Sequence, residues 1–126
     1  MEINPSSRNY DFTTGQENKF MEDLVNKKIL SHEEMVQLTQ EEIQDYLSQL
    51  KEGWALEGSK IKKLFKFEDF LKAMEFVNKV AVLAEKEGHH PDIEIHYNKV
   101  RITLWTHFIG GLSGNDFVIA ARIDAL

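Results

Sequence analysis

One long amphipathic segment set between two pairs of alternating segments constrains this chain more than anything else in it. Across residues 68–87, Phe70, Met74, Val77, Ala81 and Ala84 recur at helical spacing, and Ala73 and Val80 widen the stripe. Gly88 then supplies a residue at ease with positive φ, and Pro91 cannot prolong a helix because it has no amide hydrogen. Upstream, residues 54–57 and 60–67 read as strands joined at Gly58-Ser59. Ile61, Phe65 and Phe67 share one face of the second strand, with Lys62 and Lys66 on the other. Downstream, Ile93, Ile95 and Tyr97 alternate with Glu94 and His96. Val100, Ile102, Leu104 and Thr106 then alternate with Arg101, Thr103, Trp105 and His107. Asn98-Lys99 is the predicted hairpin turn. It sets Ile95 opposite Arg101 or Ile102, and residues 92–93 opposite 103–105.

Helices flank this plan. Thr39-x-x-Glu42 is a capping-box pattern; Ile43, Tyr46, Leu47 and Leu50 follow it at helical spacing, with Gly53 as the expected stop. Residues 108–114 are rich in glycine and read as a loop. Ser113-x-x-Asp116 then opens a last helix carrying Phe117, Ala120 and Ala121. Phe20, Met21, Leu24 and Val25 suggest a short helix over 17–29, whereas residues 1–15 have no period and read as a loose arm. The predicted division is an arm with a short helix over 1–37 and a domain over 38–126. The predicted fold is α+β, in the order (α)αββαββα: a four-stranded antiparallel sheet with helices packed on one face.

With 126 residues the chain is sized for one domain. It has no cysteine, which removes disulfides, thiolate metal sites and a cysteine nucleophile. Fifteen Lys and Arg against twenty-one Asp and Glu give a net charge of −6, so the broad positive field of a nucleic-acid binder is missing. Lys60, Lys62, Lys63 and Lys66, interleaved with Phe65 and Phe67, therefore read as a solvated sheet face. No apolar run approaches the ~18 residues of a membrane span. The first residues also lack the pattern of a leader. The expectation is a cytoplasmic protein that binds neither nucleic acid directly nor membrane.

Four of the five histidines lie between positions 89 and 107. Pairing across the second hairpin brings His107 to the corner that holds His89 and His90. Imidazoles titrate near neutrality, so three at one corner suit proton transfer. His32 and His96, taken singly, read as solvated surface residues. A metal site is the other chemical option, but no H-E-x-x-H and no i, i+4 histidine pair is present. The glycines at 110, 111 and 114 do not make a dinucleotide fingerprint. Ser113 reads as a helix cap, and Trp54 as core or a strand-end anchor.

The run EKEGHHPDIEIHYNKVRITLWTHFIGGLSGNDF closely resembles the signature of the pterin-4a-carbinolamine dehydratases: His-His-Pro, Tyr-Asn-x-Val, Thr-His, and Gly-Leu-Ser/Thr-x-x-Asp. Gly53-Trp54 and FKFEDFLKAMEFVNKVA extend the likeness, which covers the chain from about Leu38 onward. The resemblance implies a hydro-lyase of tetrahydrobiopterin recycling. It would remove water from 4a-hydroxytetrahydropterin to give quinonoid dihydropterin, with no metal and no redox cofactor. By the same analogy His89, His90 and His107 do the acid–base work, and Glu85, Pro91 and Asp116 contact the pterin or the histidines. A homodimer or homotetramer and a functional link to an aromatic amino acid hydroxylase are also implied. This chain departs from the family at three places: Gly88 stands where an acidic residue is common, Asn115 where a basic one is, and Ile93 where an aromatic one is. Loss of that aromatic would weaken stacking on the pterin by about 0.5–1.5 kcal/mol. Other proteins on this scaffold act without catalysis, as a transcriptional coactivator or as carboxylase assembly factors, and that is the alternative function.

Overall fold

A computed structural model describes residues 24–126, together with the backbone of two short strands, Asp11–Phe12 and Thr14–Gly15, which pair antiparallel. The rest of the expected arm, and the first part of the helix expected over 17–29, lie outside the described residues. Within them, helix covers only 24–26, and residues 27–30 have no regular structure.

The main elements are α1 (Gln40–Gln49), β1 (Ala55–Glu57), β2 (Lys60–Lys66), α2 (Phe70–Glu87), β3 (Asp92–His96), β4 (Lys99–Leu104), a 3-10 turn (His107–Ile109) and α3 (Gly114–Asp124). The sheet order is β1-β2-β4-β3, antiparallel throughout. The α+β fold is the one the periodicities predict. Among the described residues, no helix is long and apolar enough to cross a membrane.

Local chemistry fixes the helix ends. Thr39 and Glu42 close a reciprocal capping box: the Glu42 N–H donates to Thr39 Oγ1 (3.2 Å) and the Thr39 N–H to Glu42 Oε1 (2.9 Å). Asp69 caps α2 by accepting the Lys72 N–H at 2.9 Å. The far end of α2 closes on Gly88 at φ 66°, where the His89 N–H reaches Ala84 O and the Gly88 N–H reaches Glu85 O. A side chain at Gly88 would meet no atom within 4 Å. Gly88→Ala is therefore expected to cost only the left-handed backbone strain, about 1–2 kcal/mol, read from chemical denaturation.

The sheet's inner face buries Ile61, Val100, Ile102 and Leu104, and α3 is buried along most of its length. Fully burying a side chain of this size contributes about 1.5–3 kcal/mol. Tyr46 of α1 stacks on Phe117 of α3 with ring centroids 5.0 Å apart. Leu24, from the segment ahead of α1, joins the same core.

Four expectations need correction. The buried stripe of α2 is Ala73, Phe76, Val80 and Ala84, while Phe70 and Ala81 are exposed. Both stripes have helical spacing. The buried one wins because Phe76 fits against Phe65 and Phe67 on the sheet (4.7 and 5.0 Å).

The second hairpin turns at Tyr97-Asn98, one residue earlier than predicted, so Ile95 faces Val100 and Ile93 faces Ile102, while Asp92 pairs with Thr103 within the expected span. Asn98 is held from outside the hairpin. It donates through Nδ2 to Phe67 O (2.9 Å), and its carbonyl accepts the Phe67 N–H (2.8 Å). Tyr97 consequently takes φ 54°, uncommon for a residue with a side chain.

Lys63 is not on the solvated face, because it pairs with Ile102 in register with the inner residues. Its ammonium meets buried Asp124 at 2.7 Å, and the same carboxylate accepts the Trp54 indole N–H at 2.9 Å. Finally, α1 ends at Gln49, so Gly53 leads into the sheet rather than capping the helix.

Candidate active site

The histidine corner forms where four pieces of chain meet: the end of α2, the end of β4, the 3-10 turn after it, and a tight turn at residues 31–35. Between them lies a cavity of about 380 Å³ whose lining includes His89, His90 and His107. The volume is in the range of small-molecule sites. The Gly88 cap swings the chain so that His89 and His90 leave the helix axis. Pro91 then directs it into β3, where Asp92 begins the pairing.

Beneath the cavity sits Asp116, fully buried at the start of α3. Its Oδ1 lies 2.7 Å from His89 Nε2. Its Oδ2 accepts the Thr106 hydroxyl (2.8 Å) and the Ser113 backbone N–H (3.0 Å). Ser113 Oγ lies 2.8 Å from Thr106 Oγ1, and the Thr106 N–H donates to Gly111 O (2.8 Å), which ties the glycine loop to the end of β4. An ionised carboxylate only accepts, so the network assigns the proton of a neutral His89 to Nε2 and leaves Nδ1 as its basic atom. Asp116 thus sets both the tautomer and the orientation of the ring.

The other two histidines are more open. His90 Nε2 lies 3.0 Å from Glu85 Oε1, but Glu85 is 84% exposed and the pair is solvated. His107 stacks on Trp105 with centroids 4.0 Å apart, and the Lys60 ammonium lies 4.5 Å from the Trp105 ring centroid. Trp105 and His107, two residues apart in the chain, reach the same cavity.

The six site residues expected from sequence fall into two layers. His89, His90 and His107 line the cavity; Glu85, Pro91 and Asp116 do not. Glu85 and Asp116 each meet a histidine instead. Ile93, at the position where an aromatic is expected to stack, packs against the core and is not part of the lining. The aromatic lining comes from Trp105 and Phe108. His32 and Met35, from the segment ahead of α1, complete the cavity together with Thr106. The alternation along β4 carries a signal for Trp105, and the Thr-His pair one for Thr106. His32 has no such signal. The sequence presents it as a surface residue, and exposed it is, yet it also stacks on Phe108 at 4.5 Å.

A small α+β domain with an imidazole-lined cavity at one end of its sheet is the class that fold and site define. The family model for pterin 4 alpha carbinolamine dehydratase matches residues 36–126, and the chain belongs to that family. A provisionally named pterin-4-alpha-carbinolamine dehydratase of Nostoc sp. is 54% identical over 89 residues, covering 71% of this chain and 95% of that protein. One of Bdellovibrio bacteriovorus, also provisionally named, is 44% identical over 108 residues, covering 82% of this chain and 88% of that protein. This match reaches beyond the span of the family model into the preceding segment. Among solved structures, the transcriptional coactivator/pterin dehydratase of Brucella melitensis superposes with a TM-score of 0.68 at 37% identity, covering 71% of this chain and 97% of that one. A pterin dehydratase-like protein described as a RuBisCO assembly factor in the alpha-carboxysome gives a TM-score of 0.51 at 30% identity, covering 58% and 87%.

Proposed function

We propose that this protein dehydrates 4a-hydroxytetrahydropterin to quinonoid dihydropterin, with the cavity at the histidine corner as its active site. The observation that carries the reading is His89, held from beneath by buried Asp116, lining a cavity that His90 and His107 also line. The reaction breaks the N–H bond of the ring nitrogen beside the carbinol carbon. The released pair forms the new C=N bond, and the C–O bond breaks as the hydroxyl leaves. One proton is taken from nitrogen by one imidazole and one is given to oxygen by another, so none is consumed overall, and exchange with solvent returns both imidazoles to their starting states. His89, holding its own proton on Nε2, offers Nδ1 to the ring N–H. His90 and His107 are the candidates to protonate the leaving hydroxyl. General acid–base assistance of this kind supplies about 10²–10⁴-fold.

The substrate is the product of an aromatic amino acid hydroxylase, which places the protein downstream of such an enzyme. Among the described residues, β1 and β3 each leave one sheet edge unpaired, and a homodimer or homotetramer is the assembly this supports. The non-catalytic reading, a scaffold or assembly protein, draws on the likeness to the alpha-carboxysome assembly factor. A phenylalanine hydroxylase reaction that accumulates the 4a-carbinolamine separates the two. Added protein is expected to speed its decay in proportion to protein concentration, whereas a scaffold would leave the decay at its spontaneous rate.

A further inference from the structure

One part of the cavity's lining is aromatic and comes partly from outside the matched domain. His32 lies ahead of residue 36, where the family model begins, yet it lines the cavity and stacks on Phe108 with centroids 4.5 Å apart and planes 27° apart. Phe108 is 54% exposed, a large apolar ring left open in the cavity's lining.

The turn that carries His32 is held firmly. The Glu34 and Met35 N–H groups both donate to Ser31 O, and the Ser31 N–H donates to Glu34 Oε1 (2.9 Å). That backbone bond, with the Ser31 hydroxyl after it, holds the Glu34 carboxyl below its ordinary range. On one side of the turn, Leu30 exchanges two hydrogen bonds with buried Asn115 (2.8 and 2.9 Å). On the other, the sulfur of buried Met35 accepts from Asn115 Nδ2 at 3.0 Å. Asn115, where the family often has a basic residue, is thereby the anchor of this segment.

We propose that His32 and Phe108 form a stacking wall for the substrate ring, which makes His32 a substrate-binding residue contributed by the segment ahead of the family domain; this rests on the pterin reading above. A rigid stacked pair offers a planar heteroaromatic ring a preformed apolar face, and offset stacking adds affinity beyond simple burial. The wall takes the place of the aromatic that is missing at Ile93. It acts by contact of faces, so the imidazole nitrogens of His32 move no proton.

The test measures two quantities on the full chain and its variants. The first is the Kd for 7,8-dihydrobiopterin, a pterin that cannot dehydrate, by calorimetry. The second is KM and kcat for the carbinolamine. His32→Ala and Phe108→Ala are expected to raise Kd and KM by about 3- to 10-fold, with kcat and its pH profile unchanged. His32→Phe is expected to stay within about 2-fold of wild type. Both positions are exposed, so melting temperatures should hold. Wild-type affinity in His32→Ala would overturn the wall. So would a His32→Phe as weak as His32→Ala, or a changed kcat profile, since either gives the imidazole another role. A wild type that binds the dihydropterin without turning over the carbinolamine defeats the dehydratase reading alone, and the wall is then judged on Kd. A wild type that binds no pterin overturns both.

Discussion

Asp116→Ala is expected to destabilise the protein by at least about 3 kcal/mol and to abolish turnover in whatever fraction stays folded. The carboxylate is fully buried and takes three donors: the His89 ring, the Thr106 hydroxyl and the Ser113 N–H. Each buried donor left without an acceptor costs about 1–3 kcal/mol. Asp116→Asn separates stability from chemistry. If its oxygen keeps Thr106 and Ser113, its amide NH₂ faces His89 Nε2 and requires that nitrogen to accept. The ring must then move its proton to Nδ1 and lose the basic atom the wild type offers. A modest stability loss, about 1–2 kcal/mol, should accompany a rate loss of about 100-fold or more. Urea denaturation read beside the dehydration rate checks both. An Asn variant with wild-type turnover would show that the tautomer of His89 does not matter.

The second large effect is on the histidines themselves. His89→Ala and His107→Ala are each expected to lower the dehydration rate by about 10²–10⁴-fold, yet to differ in stability. His89 is mostly buried, and removing it strands one oxygen of Asp116, so its variant should lose about 1–3 kcal/mol. His107 is exposed and stacks on Trp105, so its variant should melt close to wild type. His90→Ala, whose partner Glu85 is solvated, should leave stability unchanged. Equal stability losses at positions 89 and 107 would contradict the layered arrangement in which only His89 is backed by a buried carboxylate.

Features decided by neighbours in sequence are legible in the chain itself. The capping box at Thr39 and Glu42, the left-handed stop at Gly88, the Gly58-Ser59 turn and the alternation of β4 are each set within a few residues, and each stands where expected. The histidine corner follows from them, because hairpin pairing alone carries His107 back towards His89. Features decided across the fold are not legible in this way. Which stripe of α2 faces inward depends on Phe65 and Phe67 of the sheet. The turn slips to Tyr97-Asn98 because Asn98 bonds to Phe67, and Lys63 turns inward to reach Asp124. His32 is the clearest case. Its place in the cavity wall depends on Leu30 meeting Asn115, 85 residues away, and no local pattern announces that contact.

The measurement that bears most directly on the account is the decay of 4a-hydroxytetrahydropterin, generated by a phenylalanine hydroxylase, with wild-type protein and with His107→Ala at equal concentration. Wild type is expected to accelerate the decay, and the variant, still folded by thermal melt, to leave it unchanged. Decay at the spontaneous rate in the presence of wild type would contradict it, and so would a His107→Ala protein as fast as wild type.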